Sequence, residues 1–347
     1  MAIKKASYNK DEAKALRNSA IPAAVMASEG TRFDSADDAS VFFARELDHV
    51  KAESYDVEYP EFTALNLFPV SNETDPGAET VTYYTYDKTG LAKVIDNYST
   101  DLPRADVTGK PSYAQVKSIG DSYGYSAQEM RASRMAGKSL DSRKAESARY
   151  QIDNLTNRIA WAGDENSGLM GVLSTGQNVP LYTIGNGAGN KADWASKTAD
   201  EILADVNGMQ KQVARVTKNV ERPDTLCVPS DVYMDISTRR IPDTATTVKA
   251  FLLENAPYLK DIVSAAELDA DSVDTNPYAK AATGGKGVAF LFKNDKRKMS
   301  LENPMPFMQY PLQVKGLETV IPWEARTAGV IFYYPLSALI AVGVSVN

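Results

Sequence analysis

The segment from Ser139 to Asp164, SLDSRKAESARYQIDNLTNRIAWAGD, constrains this chain more than any other. Ala145, Ala148, Ile152, Leu155, Ile159 and Ala162 follow one another at steps of three and four, so on an α-helix they form a single stripe. Arg143, Lys144, Glu146, Arg149, Asp153 and Arg158 lie off it, which makes the stripe a packing face. Ser139 or Asp141 is placed to cap the start, and Gly163 to leave the helix in a left-handed conformation. At about 1.5 Å per residue, Leu140 to Ala162 spans about 34 Å, the width of a small domain. A helix of that length serves as a spine.

Around this spine, 347 residues with 43% hydrophobic and 24% charged content have the balance of a folded chain. A formal net charge of −7 argues against a protein whose main task is gripping phosphates, although a local basic patch stays open. The single cysteine, Cys227, excludes an intrachain disulfide framework and fits folding in a reducing cytoplasm. No apolar run follows Lys4 and Lys5, so no export is expected. The apolar stretch Val330 to Val346 is short for a membrane span and is broken by Pro335. It reads as two buried strands either side of a turn at Tyr334 and Pro335.

Taken in order, residues 1–59 carry helical fragments at Asp11 to Ser19 and Asp37 to Val50 with too few apolar residues to close a core. Two readings stand, a helix docked on the body and an arm lying across a neighbouring subunit. Glu79 to Tyr86, ETVTYYTY, and Pro111 to Tyr125, PSYAQVKSIGDSYGY, are dense in β-branched and aromatic residues and are expected to pair, with Gly120 and Gly124 marking a bend or bulge. A ribbon with so long a tip cannot bury both faces within its own subunit. Ser126 to Ala136 reads as a short helix before the spine. Thr198 to Asn219 is a second strong helix, with Thr198 and Glu201 at capping-box spacing and a stripe of Ile202, Val206, Met209, Val213 and Val216. Short strands at Asp224 to Val228, Asp261 to Ala266 and Gly287 to Lys293 interleave with helices at Ser230 to Thr238 and Thr247 to Asn255, the pattern of an α/β unit. Leu312 to Val346 reads as three apolar strands, LQVKGLETVIPWE, AGVIFYY and SALIAVGV, with the spine helix as their expected cover.

Convergent chemistry is scarce. His49 is the single histidine, so no multi-histidine metal site exists, and Cys227 sits in an apolar strand where thiols are inert. The acidic runs Asp34 to Asp38 and Asp269 to Asp274 lack calcium-loop spacing. Gly185, Gly187 and Gly189 lack the G-x-G-x-x-G spacing and the following Gly-Lys-Ser/Thr, and they carry the alternative that the chain is a soluble nucleotide-binding enzyme. No catalytic residue, cofactor or metal site is assigned. Eighteen tyrosines against ten phenylalanines favour protein interfaces. Tyr83, Tyr84, Tyr86 and Tyr113, with Lys88, Lys93 and Arg104 in the same stretch, are the candidate assembly residues. Ala148, Ile152, Leu155, Ile159 and Ala162 are the candidate spine-packing residues.

The motifs TIGDSYGYSAQEMRAS, NRIAWAGDENSGLMGVL and VKGLETVIPWEARTAGVIFYYPLSALIAVGV, in that order, resemble the major capsid proteins of tailed bacteriophages, the Hong Kong 97-type capsid fold shared with encapsulin shells. The resemblance implies an α+β fold with an N-terminal arm (1–59), an extended β-ribbon loop (79–125), a peripheral domain with the spine helix (60–78, 126–197 and 294–347; helix 140–162) and an α/β axial domain (198–293). It implies pentamers and hexamers in an icosahedral shell around double-stranded DNA, a virion location after synthesis in the host cytoplasm, scaffold, portal and decoration partners, and no membrane. An encapsulin-like nanocompartment shell is the alternative. Some relatives join the extended loop to a neighbour through a Lys to Asn isopeptide bond, for which Lys88 and Lys93 are candidates by location alone.

Overall fold

In the computed structural model, residues 60–94, 104–136, 143–280 and 285–346 are described. The arm with its two helical fragments, His49, the run Asp34 to Asp38, the ribbon tip at 95–103 and the caps Ser139 and Asp141 lie outside these residues. Residues 1–59 and 60–347 are separate units.

The second unit opens with a helical turn α1 (Ala64–Leu67) and strand β1 (Val70–Ser71), followed by the ribbon strands β2 (Thr80–Thr89) and β3 (Asp106–Gln115) and by β4 (Lys117–Ser126). Two helices come next, α2 (Ala127–Ala136) and the spine α3 (Arg143–Ala162). A mixed α/β stretch contains β5 (Leu181–Thr183), α4 (Ala199–Val216), β6 (Thr225–Val228), α5 (Ser230–Thr238), α6 (Val248–Asn255), β7 (Asp261–Ser264) and β8 (Lys286–Phe292). Six strands end the chain: β9 (Met299–Glu302), β10 (Met305–Gln309), β11 (Gln313–Lys315), β12 (Glu318–Thr327), β13 (Gly329–Phe332) and β14 (Ala338–Val346).

A five-stranded sheet of order β5-β14-β8-β6-β7 forms the centre of the larger core. Its residues alternate between faces as pleating requires. Leu226, Val228, Ile262, Leu291 and Leu339 point to one side, where Ile202, Val206, Met209 and Val213 of α4 and Val232, Ile236 and Leu252 of α5 and α6 cover them. Cys227, Phe290, Phe292 and Ile340 point to the other, against Phe68, Trp161, Leu173, Leu301 and Phe332. A third cluster joins Ile152 and Ile159 of α3 to Ile119 of β4 and Trp323 and Ala325 of β12.

Three sequence expectations are corrected. The stretch expected as one ribbon partner, Pro111 to Tyr125, divides at Val116. Residues up to Gln115 pair with β2, whereas Lys117 to Ser126 pair with Thr327 to Glu318 of β12. Val116 is buried and its N–H bonds Glu79 O at 2.8 Å, closing the ribbon at its root. Gly120 and Gly124 make no bulge, because β4 keeps continuous register with β12 through both. Gly124 instead permits close strand approach, since a Cβ there would stand 3.1 Å from Thr319 O. Finally, LQVKGLETVIPWE is a hairpin rather than one strand. β11 pairs with the start of β12 across a turn in which Gly316 has φ +64°. The spine covers β12 and β13, while β14 lies within the five-stranded sheet beside α4.

Candidate assembly surfaces

β2 and β3 pair without interruption from Thr80 opposite Gln115 to Thr89 opposite Asp106. Thr82 faces Tyr113, so Tyr84, Tyr86 and Tyr113 share one side of the ribbon, and at exposures of 61%, 70% and 77% they are left uncovered by the described residues. The rings of Tyr84 and Tyr86 stack at 6.4 Å, and Gly109 opposite Tyr86 leaves room for its ring. Beyond the tyrosines, Leu91, Val94 and Val107 are exposed too, and Lys88, Lys93 and Arg104 line the same distal end. The surface is therefore aromatic and aliphatic with a cationic rim, a composition suited to burial against protein.

Tyr83 stands apart from the other candidates. It lies on the opposite side of the strand, half-buried, with its ring edge-on to Tyr333 at 5.1 Å. Tyr333 Oη donates to Glu302 Oε1 at 3.2 Å, and Ser300 Oγ donates to the same oxygen at 2.7 Å. Burial raises the Tyr333 phenol above its usual range, with the Glu302 carboxylate adding to the effect. The root of the ribbon is thus held by an internal polar network, while no described residue of its far part joins a core cluster. A second apolar surface lies on the β11–β12 hairpin, where Leu312, Val314 and Leu317 are exposed.

The spine supplies the rigid base. Ala148, Ile152 and Ile159 are buried, and Leu155 and Ala162 are partly so. Asn157, Thr63 and Glu267 are invisible as a site in sequence, since they are 94 or more residues apart and match no motif. Asn157 Nδ2 donates to Glu267 Oε1 at 2.7 Å, Asn157 Oδ1 accepts from Ala64 N at 3.0 Å, and Thr63 Oγ1 donates to Glu267 Oε2 at 2.9 Å. Trp161 Nε1 donates to Thr63 Oγ1 at 3.2 Å. These bonds fasten the start of the unit to the spine and to the segment after β7.

The glycine loop is occupied by its own chain. Ala188 N donates to Glu201 Oε1 at 2.7 Å, Glu201 Oε2 accepts from Thr198 N at 2.8 Å, and these amides hold the Glu201 carboxyl below its usual range. Beneath the loop, Lys197 Nζ is shared between Gly185 O and Asp205 Oδ2, both at 2.6 Å. A carboxylate therefore sits where a phosphate would have to bind, and a Cβ on Gly187 would meet Glu201 at 2.9 Å. Burial pushes the Cys227 thiol well above its ordinary value, which leaves it a poor nucleophile. Among the described residues no cluster of His, Cys, Asp and Glu has metal-binding geometry, and no helix is long and apolar enough to cross a membrane.

The family model described as major capsid protein matches residues 90–344. No curated protein sequence matches the chain significantly. Among solved structures, the capsid of Myoviridae phage XM1 superposes with a TM-score of 0.72 at 17% identity, covering 88% of this chain and 100% of that one. The capsid of a native GTA particle gives 0.61 at 9% identity, covering 90% and 100%. Mycobacterium phage Bobi gives 0.56 at 14% identity, covering 86% and 96%. At these identities the likeness is one of fold.

Proposed function

Because this chain belongs to the major capsid protein family, we propose that it assembles through pentamers and hexamers into an icosahedral shell that encloses double-stranded DNA. The observation that carries this reading is the ribbon, whose Tyr84, Tyr86 and Tyr113 face is left uncovered by the described residues. An isolated two-stranded ribbon is marginal in water, and the surface it lacks is supplied when identical subunits repeat one contact around symmetry axes. Each subunit touches several neighbours at once, so modest contacts sum to a stable shell.

In this reading residues 1–59 are the arm, 79–125 the loop that lies over a neighbour, and 60–78, 126–197 and 294–347 the peripheral domain. Residues 198–293 are the axial domain, whose sheet β5 and β14 complete from outside that range. The protein acts as a wall of the virion without catalysis of its own, is made in the host cytoplasm, and works with scaffold, portal and decoration proteins. Expression of the full chain, followed by native mass spectrometry and electron microscopy, tests the proposal. Pentamers, hexamers or closed shells are expected, and persistent monomers at micromolar concentration with a scaffold supplied would refute it.

A further inference from the structure

The C-terminal half of α4 carries a surface that the ribbon contacts do not use. Lys211, Arg215 and Lys218 follow one another at steps of four and three, all are exposed, and the exposed Arg222 extends the run. Arg222 lies 5.0 Å from the ring of Tyr258, whereas the other three have no ion pair among the described residues. The nearby acids in sequence are already taken. Asp205 is held by Lys197 at 2.6 Å and Glu221 by Lys298 at 2.7 Å, and both carboxylates are largely buried. The exposed side of residues 206–222 consequently carries four cations and no carboxylate, interspersed with Asn207, Val216, Asn219 and Val220, in a chain whose formal net charge is −7. Gln212 Nε2 donates to Leu181 O at 3.4 Å, which places this side of the helix beside β5, an edge strand of the five-stranded sheet.

The backbone adds a second observation. α4 ends at Val216, and after the cap at Thr217 come two consecutive left-handed residues that are not glycine, Lys218 at φ 51° and Asn219 at φ 64°, with Asn219 N donating to Ala214 O at 2.8 Å. Glycine is the residue that fits the first of these positions without strain. A lysine there gives up backbone stability and adds a charge to the row. The helix dipole favours a cation in the last turn, which accounts for Arg215 but not for Lys211 a turn farther in. Lys211 and Arg215 stand about 6 Å apart along the helix axis, and their flexible side chains, with that of Lys218 in the turn beyond, reach phosphates that one DNA strand presents about every 3.4 Å.

We propose that this face of α4 docks the phosphate backbone of double-stranded DNA without reading its sequence. The proposal rests on the reading of the chain as a shell around DNA, and names where one contact with the contents is made. It reconciles an acidic wall with an anionic cargo, because attraction confined to a small patch tethers the polymer while the remaining surface repels it.

The test uses capsomers of the full-length chain and a fluorescent 30-base-pair duplex titrated between 50 and 200 mM NaCl. For K211Q/R215Q/K218Q the slope of log affinity against log salt is expected to shrink by about 2–3, with affinity at the lower salt reduced at least about tenfold. Lys218→Gly is expected to shrink the slope by about 1 while raising the thermal midpoint by roughly 1–3 °C, a pairing that a merely structural residue does not produce. An unchanged slope and affinity in the triple variant overturns the proposal. So does loss of capsomers with DNA affinity intact, which assigns the row to an acidic face of a second copy. Whether wild-type chains close into shells is scored separately, so failure of the patch and failure of the shell reading are distinguishable.

Discussion

Gly163 is the residue on which the end of the spine depends. It adopts φ +76°, and an added Cβ would lie 2.5 Å from Ser174 Oγ and 2.7 Å from both Gly171 N and Leu169 O. Two of those neighbours are backbone and cannot swing aside. Gly163→Ala is therefore expected to destabilise the unassembled subunit by about 3 kcal/mol, combining left-handed strain with the clash, and a urea midpoint unchanged from wild type would contradict this. Asp269 presents a different constraint. Burial pushes its carboxyl up to about 6 from the usual 3.8, with Asp231, Asp271 and Glu267 adding to the effect against the Ser230 N–H that bonds it. The folded chain thus holds this proton to higher pH than the unfolded chain does, so the contribution is present below pH 3.8 and is lost as pH rises through about 6. Because the group is half exposed, solvent screening reduces the effect to about 1 kcal/mol. Asp269→Asn should flatten that part of the stability profile, measured by urea unfolding at pH 4, 5, 6 and 7, and a parallel profile in the variant would show that other groups set it.

At the scale of elements, the ribbon separates folding from assembly. Tyr84 and Tyr86 are exposed and stacked on one another, so removing both leaves the subunit core untouched. Tyr84→Ser with Tyr86→Ser is expected to change the stability of the unassembled subunit by less than about 0.5 kcal/mol and to reduce the yield of closed shells at least tenfold. Size-exclusion chromatography beside thermal unfolding reads both quantities, and normal shell yield would remove these tyrosines from the interface. The helix α4 illustrates how local an element's specification can be. Thr198 Oγ1 accepts from Glu201 N while Glu201 accepts from Thr198 N, the capping box that their spacing predicts, and Ile202, Val206, Met209 and Val213 are all buried. By contrast Val216, placed on the same stripe, is exposed, because α4 ends there and runs past the edge of what it covers.

At the scale of the whole molecule, the described residues form three core clusters, none of which contains a residue of β2 or β3. Replacing residues 90–105, which lie between the paired Thr89 and Asp106, by Asn-Gly should leave a folded subunit with a thermal midpoint within about 2 °C of wild type that no longer forms shells. Shells of ordinary size from that variant would mean that the distal loop is not needed for closure. Much of this architecture was legible beforehand. The three-and-four stripes predict α3 and α4, the cap at Thr198 and the exit at Gly163 follow from local chemistry, and the apolar C-terminal run divides at Pro335 as its turn residues suggest. These features depend on residues a few positions apart, whose steric and hydrogen-bonding preferences act whatever the rest of the chain does. Partner choice was not legible. Lys117 to Ser126 joins β12 rather than the ribbon, β5 and β14 join one sheet across more than 150 residues, and Thr63, Asn157 and Glu267 meet in one buried network. Any apolar strand or buried amide can satisfy many mates equally well by type, and only the simultaneous packing of all the elements selects among them. The amino-acid order by itself determined the elements and the surplus of adhesive surface, whereas the tertiary structure alone decided which of that surface is spent inside the subunit and which is left for a neighbour.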